Sequence, residues 1–259
     1  MCRLLAYLGP PLALEQILIK PPHSLLVQSY APREMQEALL NADGFGLGWY
    51  HSQRMELPYI YKNTCPIWND VNLPHLSRYV ETGCVVGYVR SATPGLAVEL
   101  GNCQPFTKGH LLLMHNGYID QFRHTLRRPM RNLLSEKADE WVKGSTDSEY
   151  LYALVLTYLE TMPLEAAIPQ ALHTIGALAA EPFCKFTATT IATTGDRLIA
   201  CRYANFKILP SLYWLRDDPQ YPDGVILASE PLFEGNWQCC PPQSCLIVEP
   251  DLDVTITPL

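Results

Sequence analysis

The chain has 259 residues, 48% of them apolar and 17% charged, with a formal net charge of −7. That length suits one large domain or two small ones and lets roughly three quarters of the unfolded surface be buried. Low charge density and the lack of any low-complexity tract exclude a disordered, collagenous or coiled-coil chain, and the acidic balance argues against nucleic acid as a partner, because counterion release needs clustered Lys and Arg.

In chain order, the first strand-like run covers Arg3 to Leu8 and is closed by Gly9-Pro10-Pro11. The same interruption, with no small-residue cleavage site after it, argues against a secretion signal. No apolar run approaches the roughly 20 residues of a membrane span, so no membrane partner is expected. Further strand-like runs follow at Gly44 to Tyr50, Cys84 to Arg90 and Leu111 to Met114, while residues 57–72 read as a loop. A helix then starts where Thr146 can act as N-cap with Glu149 as its capping-box partner, and runs to about Glu160. A second covers Leu164 to about Ala179 and must kink or begin late, because Pro169 interrupts it.

After these the strand signal returns at Lys185 to Thr193, Leu198 to Tyr203, Leu212 to Leu215, Val225 to Ser229, Leu246 to Glu249 and Val254 to Ile256. Thr194-Gly195-Asp196 has the composition of a hairpin turn, and residues 216–223 read as a loop. Strands, then two helices, then more strands is the order of an α+β protein. So many strands are too many for one flat sheet on two helices, and two stacked sheets with helices outside are expected, as one domain.

The nine cysteines are odd in number, scattered and free of C-x-x-C pairs, which fits reduced thiols in a cytoplasm. Cys239-Cys240 and Cys245 lack partners at zinc spacing, so no metal is expected. Residues 41–49 are glycine-rich but lack G-x-G-x-x-G and lead into a strand; these glycines read as permitting close backbone approach, and no cofactor is implied. A serine-nucleophile elbow is missing too.

Four features can carry chemistry. A small residue at position 2 permits removal of Met1, which leaves Cys2 with a thiol and a free α-amine. An amine of pKa about 7.7–8 can take the proton of a thiol near 8.5, so one residue supplies nucleophile and base. Taken alone, Cys2 reads rather as the start of a buried strand. His115-Asn116-Gly117 follows an apolar run; Asn-Gly after a strand is ordinarily a hairpin turn, but a turn there can aim the Asn amide and the Gly N–H at one point as an oxyanion hole. His115 reads as structural or as a base. Arg90 ends an apolar run and offers a bidentate clamp for a carboxylate, or a surface ion pair. Asp147 lies in the first turn of the capped helix, where the macrodipole favours it and where it could accept from a substrate ammonium.

Met1-Cys2-Arg3, Val89-Arg90-Ser91-Ala92-Thr93, His115-Asn116-Gly117 and Ser145-Thr146-Asp147-Ser148-Glu149, in this order, resemble the class II glutamine amidotransferases, a family of N-terminal-nucleophile hydrolases. The resemblance covers essentially the whole chain. It implies a four-layer αββα sandwich of two mostly antiparallel sheets, in agreement with the two-sheet reading. It also implies Cys2 as nucleophile, Asn116 and Gly117 as oxyanion hole, and Arg90 and Asp147 as the residues gripping the α-carboxylate and α-ammonium of a γ-glutamyl group.

Within the family, residues 20–33, Asn41-Ala42-Asp43-Gly44, Leu227-Ala228-Ser229-Glu230-Pro231 and Thr255-Ile256-Thr257-Pro258-Leu259 are similar to its ergothioneine-biosynthesis branch, which removes glutamate from γ-glutamyl-hercynylcysteine sulfoxide. Residues 102–107 and 144–149 are at least as similar to the branch found in a fungal glutathione-degrading complex, so the leaving group stays open. The larger family members carry a second, ammonia-consuming domain that this sequence lacks. A free-standing hydrolase of a small-molecule γ-glutamyl amide is therefore expected, with a separate synthase or peptidase subunit as a possible partner and a noncatalytic binding subunit as the rival reading.

Overall fold

Strand β1 (Arg3–Ala13) shows how side-chain alternation builds the layers. Leu4, Ala6 and Leu8 point to one face and Leu5 and Tyr7 to the other, and the two sets belong to different apolar clusters. The computed structural model describes residues 2–35, 40–51, 57–92, 97–181 and 183–259. In it β1 is a central strand of a seven-stranded sheet of order β11-β9-β10-β1-β4-β2-β3. The other members are β2 (Phe45–Tyr50), β3 (Tyr59–Asn63), β4 (Glu81–Val89), β9 (Tyr213–Asp218), β10 (Tyr221–Ala228) and β11 (Gln238–Cys239).

A six-stranded sheet of order β13-β12-β8-β7-β6-β5 contains β5 (Phe106–Lys108), β6 (Leu111–Ile119), β7 (Phe186–Thr193), β8 (Leu198–Ala204), β12 (Ser244–Val248) and β13 (Val254–Pro258). All strand pairs described are antiparallel.

Three apolar layers hold these sheets. Between them lie Leu4, Ala6, Val86, Leu112, Met114, Ile191, Val225 and Leu246. Outside the first sheet, Leu5, Val85, Phe45 and Leu47 pack on α1 (Leu14–Leu18), α2 (Leu25–Tyr30) and α3 (Leu73–Tyr79). Outside the second, Leu113, Phe186, Ala188 and Ile199 pack on α6 (Asp147–Tyr158) and α7 (Leu164–Ala180), flanked by α4 (Arg127–Arg131) and α5 (Glu136–Trp141). The expected αββα sandwich of the α+β class is the observed architecture. Among the described residues no helix is long and apolar enough to cross a membrane.

Several sequence expectations need correction. β1 continues through Gly9-Pro10-Pro11, because the prolines fall where the register with β4 shifts between Leu8 and Leu12 and where pairing with β10 has ended. The expected loop over 57–72 contains β3 and a 3-10 turn at Ile67–Asn69, and the one over 216–223 is the β9–β10 hairpin. α7 starts at Leu164 with Pro169 inside it, so it does not begin late. The capped helix is as expected: Thr146 Oγ1 accepts from Glu149 N, and the Glu149 carboxylate accepts from Thr146 N.

The glycine reading of residues 41–49 holds at the atomic level. A Cβ on Gly46 would lie 2.0 Å from the Gln104 carbonyl oxygen, and one on Gly48 would lie 2.6 Å from a Leu112 methyl. These bare positions bring β2 close to the second sheet and to Gln104, next to the candidate site.

Candidate functional site

Alternation that fills the inter-sheet core with Leu4 and Leu112 also points Cys2 and Asn116 toward each other across it, since all four share the even-numbered face of β1 and β6. Cys2 N donates to Asn116 Oδ1 at 2.9 Å, although 114 positions separate the two residues. With Oδ1 so engaged, Asn116 Nδ2 is the amide's remaining donor; it is buried and has no partner. A buried donor without an acceptor is costly in a resting structure, and here it belongs to the side chain that holds the Cys2 nitrogen.

Asn116-Gly117 is not a turn. β6 runs through both residues to Ile119, pairing Asn116 with Thr189 and Gly117 with Ala188 of β7. Gly117 is required by packing, since a Cβ there would sit 2.0 Å from Thr187 O and 2.6 Å from His115 Nε2. His115 belongs to the opposite, helix-facing side. Its Nδ1 is 2.8 Å from Ser148 Oγ, and burial holds its pKa below the usual value despite Asp147 nearby. A neutral ring joining β6 to α6 is thus the structural alternative read from the sequence.

Around the sulfur, Tyr88 OH lies 2.9 Å from Cys2 Sγ, and the thiol donates to Ser91 O at 3.7 Å. Arg90 follows the end of β4, beside that contact. It is buried rather than a surface ion-pair residue, and its guanidinium donates to Ala97 O at 3.2 Å and Asp43 O at 3.4 Å. Asp43 in turn accepts from Ala92 N at 2.8 Å. Asp147 is the first residue of α6; one carboxylate oxygen accepts from Ile119 N, three residues beyond Asn116, and the other from Ser148 N, both at 2.8 Å. The structure therefore brings Cys2 and Asn116 into direct contact, with Gly117 adjoining, and fixes Arg90 and Asp147 through their own neighbours. Met1 and Thr93 lie outside the described residues.

Sequence reasoning missed Tyr88, Gln104 and the cluster behind Cys2. There Arg3 Nη1 donates to Cys2 O at 2.8 Å while Arg3 Nε donates to Glu230 Oε1 at 2.7 Å. Glu230 Oε2 also accepts from His23 Nε2 at 2.7 Å and from Arg33 N at 2.8 Å, and Oε1 from Glu34 N at 3.0 Å. Arg3 and Glu230 are each 1% exposed, so this is a buried ion pair in which both carboxylate oxygens are hydrogen-bonded while one guanidinium nitrogen, Nη2, has no partner, and it fixes the carbonyl side of Cys2.

Burial alone would raise the Glu230 carboxyl, but the His23 bond, the Arg33 N–H, the Arg3 charge and the Glu34 N–H outweigh it and hold it at about 2. A lowered carboxyl contributes stability that is complete above its ordinary pKa and lost as pH falls toward the folded value. Urea titrations should therefore show wild-type stability falling between pH about 4.5 and about 2. Glu230→Gln, expected to be about 3–5 kcal/mol less stable at pH 7 because Arg3 is left buried and unpaired, should show a shallower fall in that window. Equal slopes would assign the acid loss to other carboxylates.

The αββα sandwich, with a cysteine at position 2 on the inter-sheet face of a central strand, has the fold of N-terminal-nucleophile amidotransferases. A glutamine phosphoribosylpyrophosphate amidotransferase from B. subtilis superposes with a TM-score of 0.67 at 17% identity, over 99% of this chain and 49% of that one. The chain belongs to the class II glutamine amidotransferases, whose family pattern matches residues 22–222.

A protein from Silicibacter pomeroyi described as a glutamine aminotransferase class-II domain protein is similar over 99% of this chain and 98% of that one, with a TM-score of 0.73 and 25% identity. In sequence the chain is 32% identical over 260 residues, 100% of both proteins, to a γ-glutamyl-hercynylcysteine sulfoxide hydrolase of Mycolicibacterium smegmatis. It is 36% identical over 169 residues to a probable glutamine amidotransferase, DUG3, of Saccharomyces cerevisiae, matching 62% of this chain and 46% of that protein.

Proposed function

We propose that the protein hydrolyses a γ-glutamyl amide through a γ-glutamyl thioester on Cys2, and that its substrate is γ-glutamyl-hercynylcysteine sulfoxide, an intermediate of ergothioneine biosynthesis. The observation that carries this reading is the 2.9 Å bond from Cys2 N to Asn116 Oδ1, which joins the two residues and leaves the buried Asn116 Nδ2 without a partner. The full-length relatives named as hydrolases of this compound support the substrate.

After Met1 is removed, the Cys2 α-amine takes the thiol proton and the sulfur attacks the γ-carbonyl carbon. Negative charge gathers on the carbonyl oxygen, where Asn116 Nδ2 and the Gly117 N–H receive it. The carbon–nitrogen bond then breaks as the α-ammonium returns its proton to the departing amine. Water, deprotonated by the same amine, cleaves the thioester and frees glutamate. Arg90 and Asp147 hold the glutamate carboxylate and ammonium, a buried guanidinium and a half-buried helix-start carboxylate being suited to those two charges. The free thiols at all nine cysteines agree with a cytoplasmic setting, and residues 1–259 act as one unit.

A second reading is glutamine, or glutathione, as the amide donor, with a synthase or peptidase subunit as partner. It draws on the 36% identity to the yeast protein. The deciding experiment is glutamate release by the purified protein from the hercynyl conjugate, glutathione and glutamine side by side. Turnover of the first at least about tenfold faster in kcat/KM is expected. Preference for glutamine, or activity only with a co-purified chain, would replace this reading by the second.

A further inference from the structure

The Cys2 sulfur has a neighbour that the mechanism above leaves idle. Tyr88 lies on the inter-sheet face of β4, is 3% exposed, and places its hydroxyl 2.9 Å from Sγ. Distance alone leaves open which group donates, but the protons around the pair can be counted. Backbone His115 N–H is a donor only, so the Gln104 atom it meets is the carbonyl oxygen Oε1.

Gln104 Nε2 is thereby turned toward His115 O, at 3.2 Å, and toward Tyr88 OH, at 3.4 Å. An amide nitrogen only donates, so the Tyr88 oxygen accepts from Gln104 and its single proton is left for the sulfur. On the other side, the thiol proton has its own acceptor in Ser91 O, at 3.7 Å. Every donor in the chain Gln104, Tyr88, Cys2, Ser91 then points the same way.

The geometry points to Tyr88 as a further catalytic residue, a phenol held by Gln104 that donates a hydrogen bond to the Cys2 thiolate and stabilises it before attack and at thioester departure. The inference rests on the proposed Cys2 nucleophile. Burial, and then the adjoining Cys2, hold the phenol well above its usual range, so it keeps its proton throughout and shares it without giving it up. Gln104 is a positioning residue. Its side chain also clasps both backbone groups of His115, so the same amide sets the direction of the Tyr88 hydroxyl and the placement of the strand that carries Asn116.

The test is the pH dependence of iodoacetamide alkylation at Cys2 in protein lacking Met1, followed by peptide mass spectrometry, which separates this thiol from the other eight. The other titratable or charged groups facing the pair are the Cys2 α-amine, Arg90 and Cys103, with Lys62 beyond Cys103. All stay unchanged in the variants. Tyr88→Phe should move the half-reaction pH upward by about 1 unit and lower kcat/KM about 10- to 100-fold, mainly through kcat, as expected for losing a hydrogen bond to a charged group.

3-Fluorotyrosine introduced at position 88 alone keeps the shape and strengthens the donor, and should move the half-reaction pH downward. It decides the matter even if Tyr88→Phe fails to fold. Shifts of both variants in the same direction, or no shift in the fluorinated protein, would overturn the assignment. Alkylation uses no substrate, so it can fail for Tyr88 while glutamate release still requires Cys2. Turnover surviving Cys2→Ala would instead remove the thioester mechanism itself.

Discussion

Cys2→Ala is expected to lower glutamate release by about 10⁴-fold or more, because no other group replaces a lost nucleophile and what survives is binding and oxyanion stabilisation alone. Alanine is also small, so Met1 is still removed and the α-amine is still generated; the variant isolates the sulfur from the amine. Its structural cost is modest. Cys2 is 9% exposed at the edge of the inter-sheet core, and its backbone is held by Asn116 on one side and by Arg3 on the other, neither of which uses the thiol.

A loss of about 1–3 kcal/mol is expected, because the buried Tyr88 hydroxyl proton loses its acceptor and Gln104 only donates to that oxygen. Glutamate assays paired with thermal unfolding check both halves. Substantial turnover by a folded Cys2→Ala protein would defeat covalent catalysis at this residue. Inactivity with collapse of the fold would instead make Cys2 structural, the bland reading that position 2 alone supports.

What the sequence made legible is what local chemistry dictates. The Thr146–Glu149 capping box is contained within four residues, and the apolar alternation from Leu4 to Leu8 fixes which face of β1 carries Cys2. The described residues of the four patterns that resemble the family lie at the start of β1, at and just after the end of β4, on β6 and at the start of α6.

Asn116-Gly117 lies within a strand, and not in the turn its composition suggests, for a physical reason. Asn-Gly signals a hairpin only when the next strand folds straight back, whereas the partner of β6 is β7, about 70 residues later, whose Thr187, Thr189 and Thr190 favour extended pairing. α1 to α3 span five to seven residues each, too few for a helical period to stand out.

Tyr88 and Glu230 were invisible as site residues because their meaning lies in contacts 86 and 227 positions away. A phenol in an apolar strand reads as core, and a Glu after a strand reads as surface. Buried Arg3 was the available clue, since a charge in the middle of an apolar alternation demands a buried partner somewhere in the chain.

Asn116→Asp should cut kcat by about 10²–10³ while changing KM little, the cost of removing one oxyanion donor. The substitution is nearly isosteric and keeps an oxygen to accept from Cys2 N, so the contact that joins the two sheets survives. In place of the unpaired Nδ2 it puts an acceptor, which repels the developing oxyanion. A carboxylate there also favours the charged form of the Cys2 ammonium, and that alone would slow the reaction by disabling the base.

The two effects separate with pH. A loss caused by the amine should be recovered as the solution becomes alkaline enough to deprotonate it, whereas the missing donor should depress kcat at every pH. A kcat deficit that persists into the alkaline limb is the expected result. Full recovery there would assign Asn116 to holding the terminal amine only, and would leave the Gly117 N–H to receive the oxyanion.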